Sequence, residues 1–119
     1  MLRYTMALAD IALVALEDGA EGLMLPSKMF YYMAAGSVLV GICGEKNDVS
    51  QIIKDNNCGL VVKTKSPVQL ASMIKKLSKD TMKMDSFKYS ARQSAVSFFS
   101  RAVCTEKLNK ELLLLINQL

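Results

Sequence analysis

The sequence predicts an α/β fold of about three parallel strands with flanking helices. Two observations carry this expectation. The apolar runs Ile11–Leu16, Val38–Ile42 and Leu60–Val62 are of strand length and lack the alternation of a half-wet strand. Capped segments of helical length stand between and after them, in the order β-α-β-α-β and then helices. That order requires parallel strands joined by right-handed crossovers. With 119 residues, 51% of them apolar, the chain forms a single domain with a real core.

The elements follow in order. Residues 1–9 read as the end of a helix, with apolar positions Leu2, Met6 and Leu8 to Ala9. Ile11–Leu16 is apolar throughout, which predicts a strand covered on both faces. Residues 17–25 form an acidic loop containing Gly19 and Gly22. Pro26 then suits the first helical position, because its fixed φ fits and its missing N–H is not needed there. The helix runs to Ala35, and Gly36 supplies the left-handed exit. A second buried strand, Val38–Ile42, ends in the loop Cys43–Lys46.

Asn47 is the expected cap of a helix from Asp48 to about Asn56, with Val49, Ile52 and Ile53 as its buried stripe. Gly59 ends that segment before the strand Leu60–Val62. Ser66-Pro67-Val68-Gln69 reads as a capping box opening a helix to about Ser78. Leu70, Ile74 and Leu77 turn inward there, while Lys75, Lys76 and Lys79 face water. Thr81–Ser97 repeats Met84, Phe87, Ala91 and Ala95 at helical spacing. Ser100 caps a last helix, Arg101–Leu115, with Leu108, Leu112 and Leu115 expected inward.

Composition narrows the chemistry. The chain has no histidine, which removes Ser-His-Asp and Cys-His nucleophile systems and HExxH zinc sites together. Cys43, Cys58 and Cys104 are odd in number and far apart, so free thiols are expected rather than disulfides or a zinc knuckle. The adjacent acids Glu17 and Asp18 have no third ligand, so no metal is expected. No apolar run approaches the roughly 20 residues of a bilayer span, and the N-terminus lacks a signal-peptide layout. A cytoplasmic location is expected. The net charge of +4 is uneven, with the lysines concentrated in residues 63–92. A solvated helix face is the plain account of those lysines, and contact with anionic lipid at the inner face of the membrane is the functional one. No aromatic and basic interleaving marks a nucleic-acid track, so no nucleic acid is expected as a partner.

An ordered set of residues then carries a resemblance. It comprises Ala9-Asp10-Ile11-Ala12-Leu13-Val14, Pro26-Ser27-Lys28, Met33-Ala34-Ala35-Gly36, Asn57-Cys58-Gly59-Leu60-Val61-Val62 and Pro67-Val68-Gln69-Leu70-Ala71. The set resembles the C-terminal part of the donor-binding domain of GT-B fold, group 1 retaining glycosyltransferases. The resemblance implies a partial Rossmann-like three-layer fold, the second half of a GT-B C-terminal domain. It implies transfer of a hexose from a nucleoside diphosphate sugar to a sugar or lipid-linked acceptor, with no cofactor beyond that donor. It also implies that the acceptor domain and the opening strands of the donor domain are missing, so the chain alone is expected to be inactive.

The same resemblance nominates donor-binding residues. Ser27 and Lys28 would hold the diphosphate at the helix start, and Glu21 and Gly22 would touch the sugar from the loop. Tyr31 stands five residues before Gly36, where the family places a ribose-binding glutamate. A tyrosine makes one hydrogen bond there but cannot chelate two hydroxyls. Tyr31 and Tyr32 cannot both face one ligand from adjacent helix positions, so at least one belongs to the core. Gly41 and Gly44 would allow close backbone approach at the second strand's end. In a complete domain the first strand would lie mid-sheet, so its bare edge here is expected to recruit the missing N-terminal half or a second copy. The rival readings are a non-catalytic flavodoxin-like binding module and a purely structural subunit.

Overall fold

A computed structural model describes residues 9–16 and 28–118. The expected helix end at residues 1–9 lies outside the described residues except for Ala9, which is not helical, and the loop 17–25 and the Pro26–Ser27 helix start lie outside them. The strands are β1 (Ile11–Ala15), β2 (Val38–Ile42) and β3 (Gly59–Val62). The helices are α1 (Lys28–Ala35), α2 (Asp48–Asp55), α3 (Pro67–Lys79), α4 (Thr81–Phe98) and α5 (Arg101–Asn117). The sheet is parallel throughout, in the order β1-β2-β3. The α/β class and the three parallel strands are as the sequence predicts.

The middle strand sets the core. Val38, Leu39 and Val40 are fully buried because β2 is paired on both sides and covered on both faces. On one face Leu39 packs with Met29 and Met33 of α1, Val49 and Ile53 of α2, and Ala91 and Ala95 of α4. On the other, Val38 and Val40 pack with Val62, Leu77 of α3 and Phe87 of α4. The helix α4 therefore serves both layers, Phe87 reaching one and Ala91 and Ala95 the other.

The first two helices end alike. At α1 the Gly36 N–H donates to the Met33 carbonyl (3.0 Å) and the Ser37 N–H to the Tyr32 carbonyl (3.0 Å). At α2 the Asn57 N–H donates to the Lys54 carbonyl (3.3 Å) and the Cys58 N–H to the Ile53 carbonyl (3.3 Å). Each pair is the double bond of a Schellman ending, which needs a left-handed residue at the turn. Gly36 (φ 77°) fills that position after α1, as expected, and Asn57 (φ 48°) fills it after α2. The residue that stops α2 is thus Asn57, and Gly59 is already part of β3.

Several expectations are corrected. β1 is not covered on both faces. Ala12, Val14 and Leu16 are buried, but Leu13 is 50% exposed and Ala15 is exposed. The helices on that second face, α3 and α4, lie over β2 and β3 and leave the β1 end bare among the described residues. The capping box at Ser66 does not form: α3 has Pro67 at its start, but the Ser66 side chain makes no capping bond. With ψ at 66°, the Ser66 backbone departs from the extended conformation that aims a cap hydroxyl at the helix. The last correction concerns α5. Its cap is as expected, the Ser100 hydroxyl accepting from the Val103 N–H (3.3 Å). Leu108, Leu112 and Leu115 are not inward, however, at 59, 47 and 58% exposure. The helix touches the body chiefly through α4 and then runs beyond it, so the leucines meet no surface among the described residues. The longest dimension is accordingly 55 Å, against 31 and 27 Å.

Candidate functional site

Parallel strands put all their C-terminal ends on one side of the sheet, and ligands gather there in such folds. Here that side carries Leu16, the turn from Cys43 to Asn47 and the turn from Lys63 to Ser66. The starts of α1, α2 and α3 share it.

Lys28 is the first described residue of α1 and is exposed. Tyr31, a turn later, is 64% exposed, whereas Tyr32 is half-buried against the core. Tyr31 lines a hollow of about 300 Å³ with Phe30, Arg92, Val96 and Phe99. The Phe30 and Phe99 rings in its lining are in contact, with centroids 4.9 Å apart and planes tilted by 50°. Of the nominated donor-binding residues, the structure thus places Lys28 and Tyr31 on one short helix. Glu21, Gly22 and Ser27 lie outside the described residues, as do the paired acids Glu17 and Asp18.

Behind this surface the sheet is fastened from the opposite side. The Lys88 ammonium donates to the Asp10 carboxylate (2.7 Å), just before β1. One turn on, the Arg92 guanidinium donates to the Ala34 carbonyl (2.6 Å), at the electronegative end of α1. The buried Ser37 hydroxyl donates to the Ala9 carbonyl (2.7 Å). These contacts fix α1, and hence Lys28 and Tyr31, relative to β1 and α4.

Asn47 is more deeply placed than a surface cap. Its carboxamide oxygen accepts from the Ser50 N–H (2.9 Å), and the residue is 3% exposed. Its Nδ2 and the Ser50 hydroxyl are buried without partners. Gly41 lies where β2 packs closely against α2. A Cβ there would come within 2.9 Å of Ile53 Cδ1 on α2.

The thiols divide by burial. Cys43 and Cys58 are buried and Cys104 is exposed. A thiol reagent is expected to modify Cys104 alone in the folded chain at pH 8, read as one fast equivalent by mass spectrometry. Burial pushes the Cys58 thiol up from its ordinary 9.0 to about 11. Its stabilising contribution is therefore complete below about pH 9 and lost as the pH climbs through 11. The stability gap between wild type and Cys58→Ala in urea should shrink from pH 8 to pH 10.5, and a constant gap would contradict this assignment.

Among the described residues no group of three or more acidic or cysteine side chains could hold a metal ion. No helix among them is long and apolar enough to cross a membrane. No protein-family model matches the chain, and no solved structure does. It is 35% identical over 71 residues to the probable glycosyltransferase WbjE of Pseudomonas aeruginosa. The match covers 60% of this chain and 18% of that protein, so the chain spans under a fifth of its relative. This similarity relates the chain to a glycosyltransferase over more than half its length.

Proposed function

We propose that the chain is the donor-side portion of a retaining, GT-B fold glycosyltransferase that takes a hexose from a nucleoside diphosphate sugar. The observation that carries the reading is the similarity to a glycosyltransferase over 60% of the chain. The exposed Lys28 at the start of α1, on the side of the sheet where the strands end, supports it. In this reading Lys28 and the first N–H groups of α1 face the donor diphosphate, joined by Ser27 from the preceding residue. Glu21 and Gly22 meet the sugar, and Tyr31 offers its hydroxyl or ring to the ribose.

The chemistry asked of these groups is electrostatic. As the sugar leaves, negative charge grows on the diphosphate, and a fixed cation beside helix N–H groups lowers the energy of that charge. No histidine is needed for this half of the task. In this reading the acceptor face belongs to another portion of the enzyme, and the edge of β1, unpaired among the described residues, is where that portion, or a second copy, adds a strand.

Titration with UDP or GDP, followed by amide chemical shifts, tests the reading. The Lys28 and Met29 amides are expected to move, and Lys28→Ala to weaken binding by about fivefold, as loss of about 1 kcal/mol implies. Silence of α1 toward every nucleoside diphosphate would favour the non-catalytic binding module. The chain alone is expected to transfer no sugar.

A further inference from the structure

We propose that the outer edge of β3 is a docking site for an extended acidic peptide segment, which adds to the sheet as a further strand. The inference is independent of the donor site, because β3 lies at the other edge of the sheet from β1.

The backbone supplies the first argument. The Leu39 N–H donates to the Cys58 carbonyl (3.0 Å) and the Cys43 N–H to the Val62 carbonyl (3.0 Å). Strand geometry alternates, so Cys58, Leu60 and Val62 turn their polar groups to β2, and Gly59, Val61 and Lys63 turn theirs outward. No further strand pairs with β3 among the described residues.

The second argument is shape. A hollow of about 280 Å³ runs along Gly59, Leu60, Val61 and Lys63. A larger one, about 990 Å³, begins at Leu60 and follows α3 past Met73 and Leu77. They share Leu60 and Gln69. Leu60 packs with the layer of α3, and Val61 with the opposite layer of α2. The free edge therefore runs along the smaller hollow, which reaches side chains of both layers, and beside the larger hollow on the α3 face. An added strand points its side chains alternately to the two faces, so every second side chain of the segment would meet the larger hollow.

Charge selects the occupant. The smaller hollow is lined by Lys54 and Lys63 with Glu45, and the larger by Lys65, Lys76 and Lys83 with Asp80. None of these lysines is in an ion pair among the described residues. Their excess over the acids favours a segment bearing carboxylates, while the apolar floor at Leu60, Met73 and Leu77 favours β-branched residues between them.

The test uses the 119-residue chain and a labelled, capped hexapeptide alternating acidic residues with valine. Saturable binding is expected below about 1 mM at low salt. Shifts should centre on the Gly59, Val61 and Lys63 amides. The same peptide N-methylated at every residue keeps its charge and loses every main-chain donor, so its binding should fall about tenfold or more. Val61→Pro, which removes an outward N–H and no bond to β2, should weaken the unmodified peptide comparably. Lys54→Glu with Lys63→Glu should do the same. Equal binding of the N-methylated peptide would overturn strand addition even if Val61→Pro failed to fold. Absence of saturable binding, or equal competition by disordered polyglutamate or anionic vesicles, would also overturn it.

Discussion

Gly59→Ala is expected to lower the unfolding free energy by about 3 kcal/mol or more, at the severe end of overpacking changes. A Cβ on Gly59 would overlap the Leu39 carbonyl oxygen and fall 2.6 and 2.9 Å from the Leu39 carbonyl carbon and nitrogen. All three are backbone atoms of the middle strand. Leu39 is fully buried, and β2 is paired with β1 and β3 at once, so it cannot yield without opening a ladder. The conflict is one of space, unlike that at Asn57, whose left-handed backbone is the issue. Asn57→Gly is therefore expected to be nearly neutral, and the contrast separates the two mechanisms within three residues of chain. Urea unfolding with unchanged slope and a lowered midpoint is the measurement. A loss below about 1 kcal/mol would mean that β2 and β3 part more easily than their packing implies.

The elements legible in the sequence were those whose signals are local. Gly36 ends α1 and Asn47 and Ser100 cap their helices because cap chemistry acts within four residues. β2 reads as buried because its apolar run coincides with a central position. What the sequence did not disclose depends on distant partners. The run Ile11–Leu16 looks like that of β2, yet Leu13 is half exposed, since coverage depends on which helices reach the edge of the sheet. The α5 leucines meet no surface among the described residues. Ser66 has cap chemistry in a backbone conformation that cannot use it. In the candidate site, Lys28 and Tyr31 are both exposed on α1. The fastening of α1 by Arg92 was invisible, because it joins residues 58 apart and uses a main-chain acceptor. An arginine one turn after Lys88, beside the buried Ala91, was the only available hint.

Met33→Ala is expected to cost about 2–5 kcal/mol and to reduce nucleoside diphosphate binding with it. Met29 and Met33 stand one helical turn apart on α1, and both are fully buried. A helix with eight described residues gains little from its own hydrogen bonds, so these side chains supply much of its stability. Truncating Met33 leaves a cavity facing Leu39, with rigid strand atoms behind it that collapse poorly. The Gly36 turn and the Arg92 bond fasten α1 at its C-terminal end, and the packing of Met29 and Met33 completes the hold on Lys28 and Tyr31, so loss of Met33 loosens a helix whose position those contacts share. Met33→Leu keeps the volume and should cost under about 1.5 kcal/mol, with binding retained. Thermal unfolding of both variants, followed by titration of whichever remains folded, distinguishes the outcomes. If Met33→Ala unfolds early and Met33→Leu binds normally, packing beneath α1 positions the site. If Met33→Leu folds normally and loses binding, the site depends on side-chain detail that burial alone does not supply.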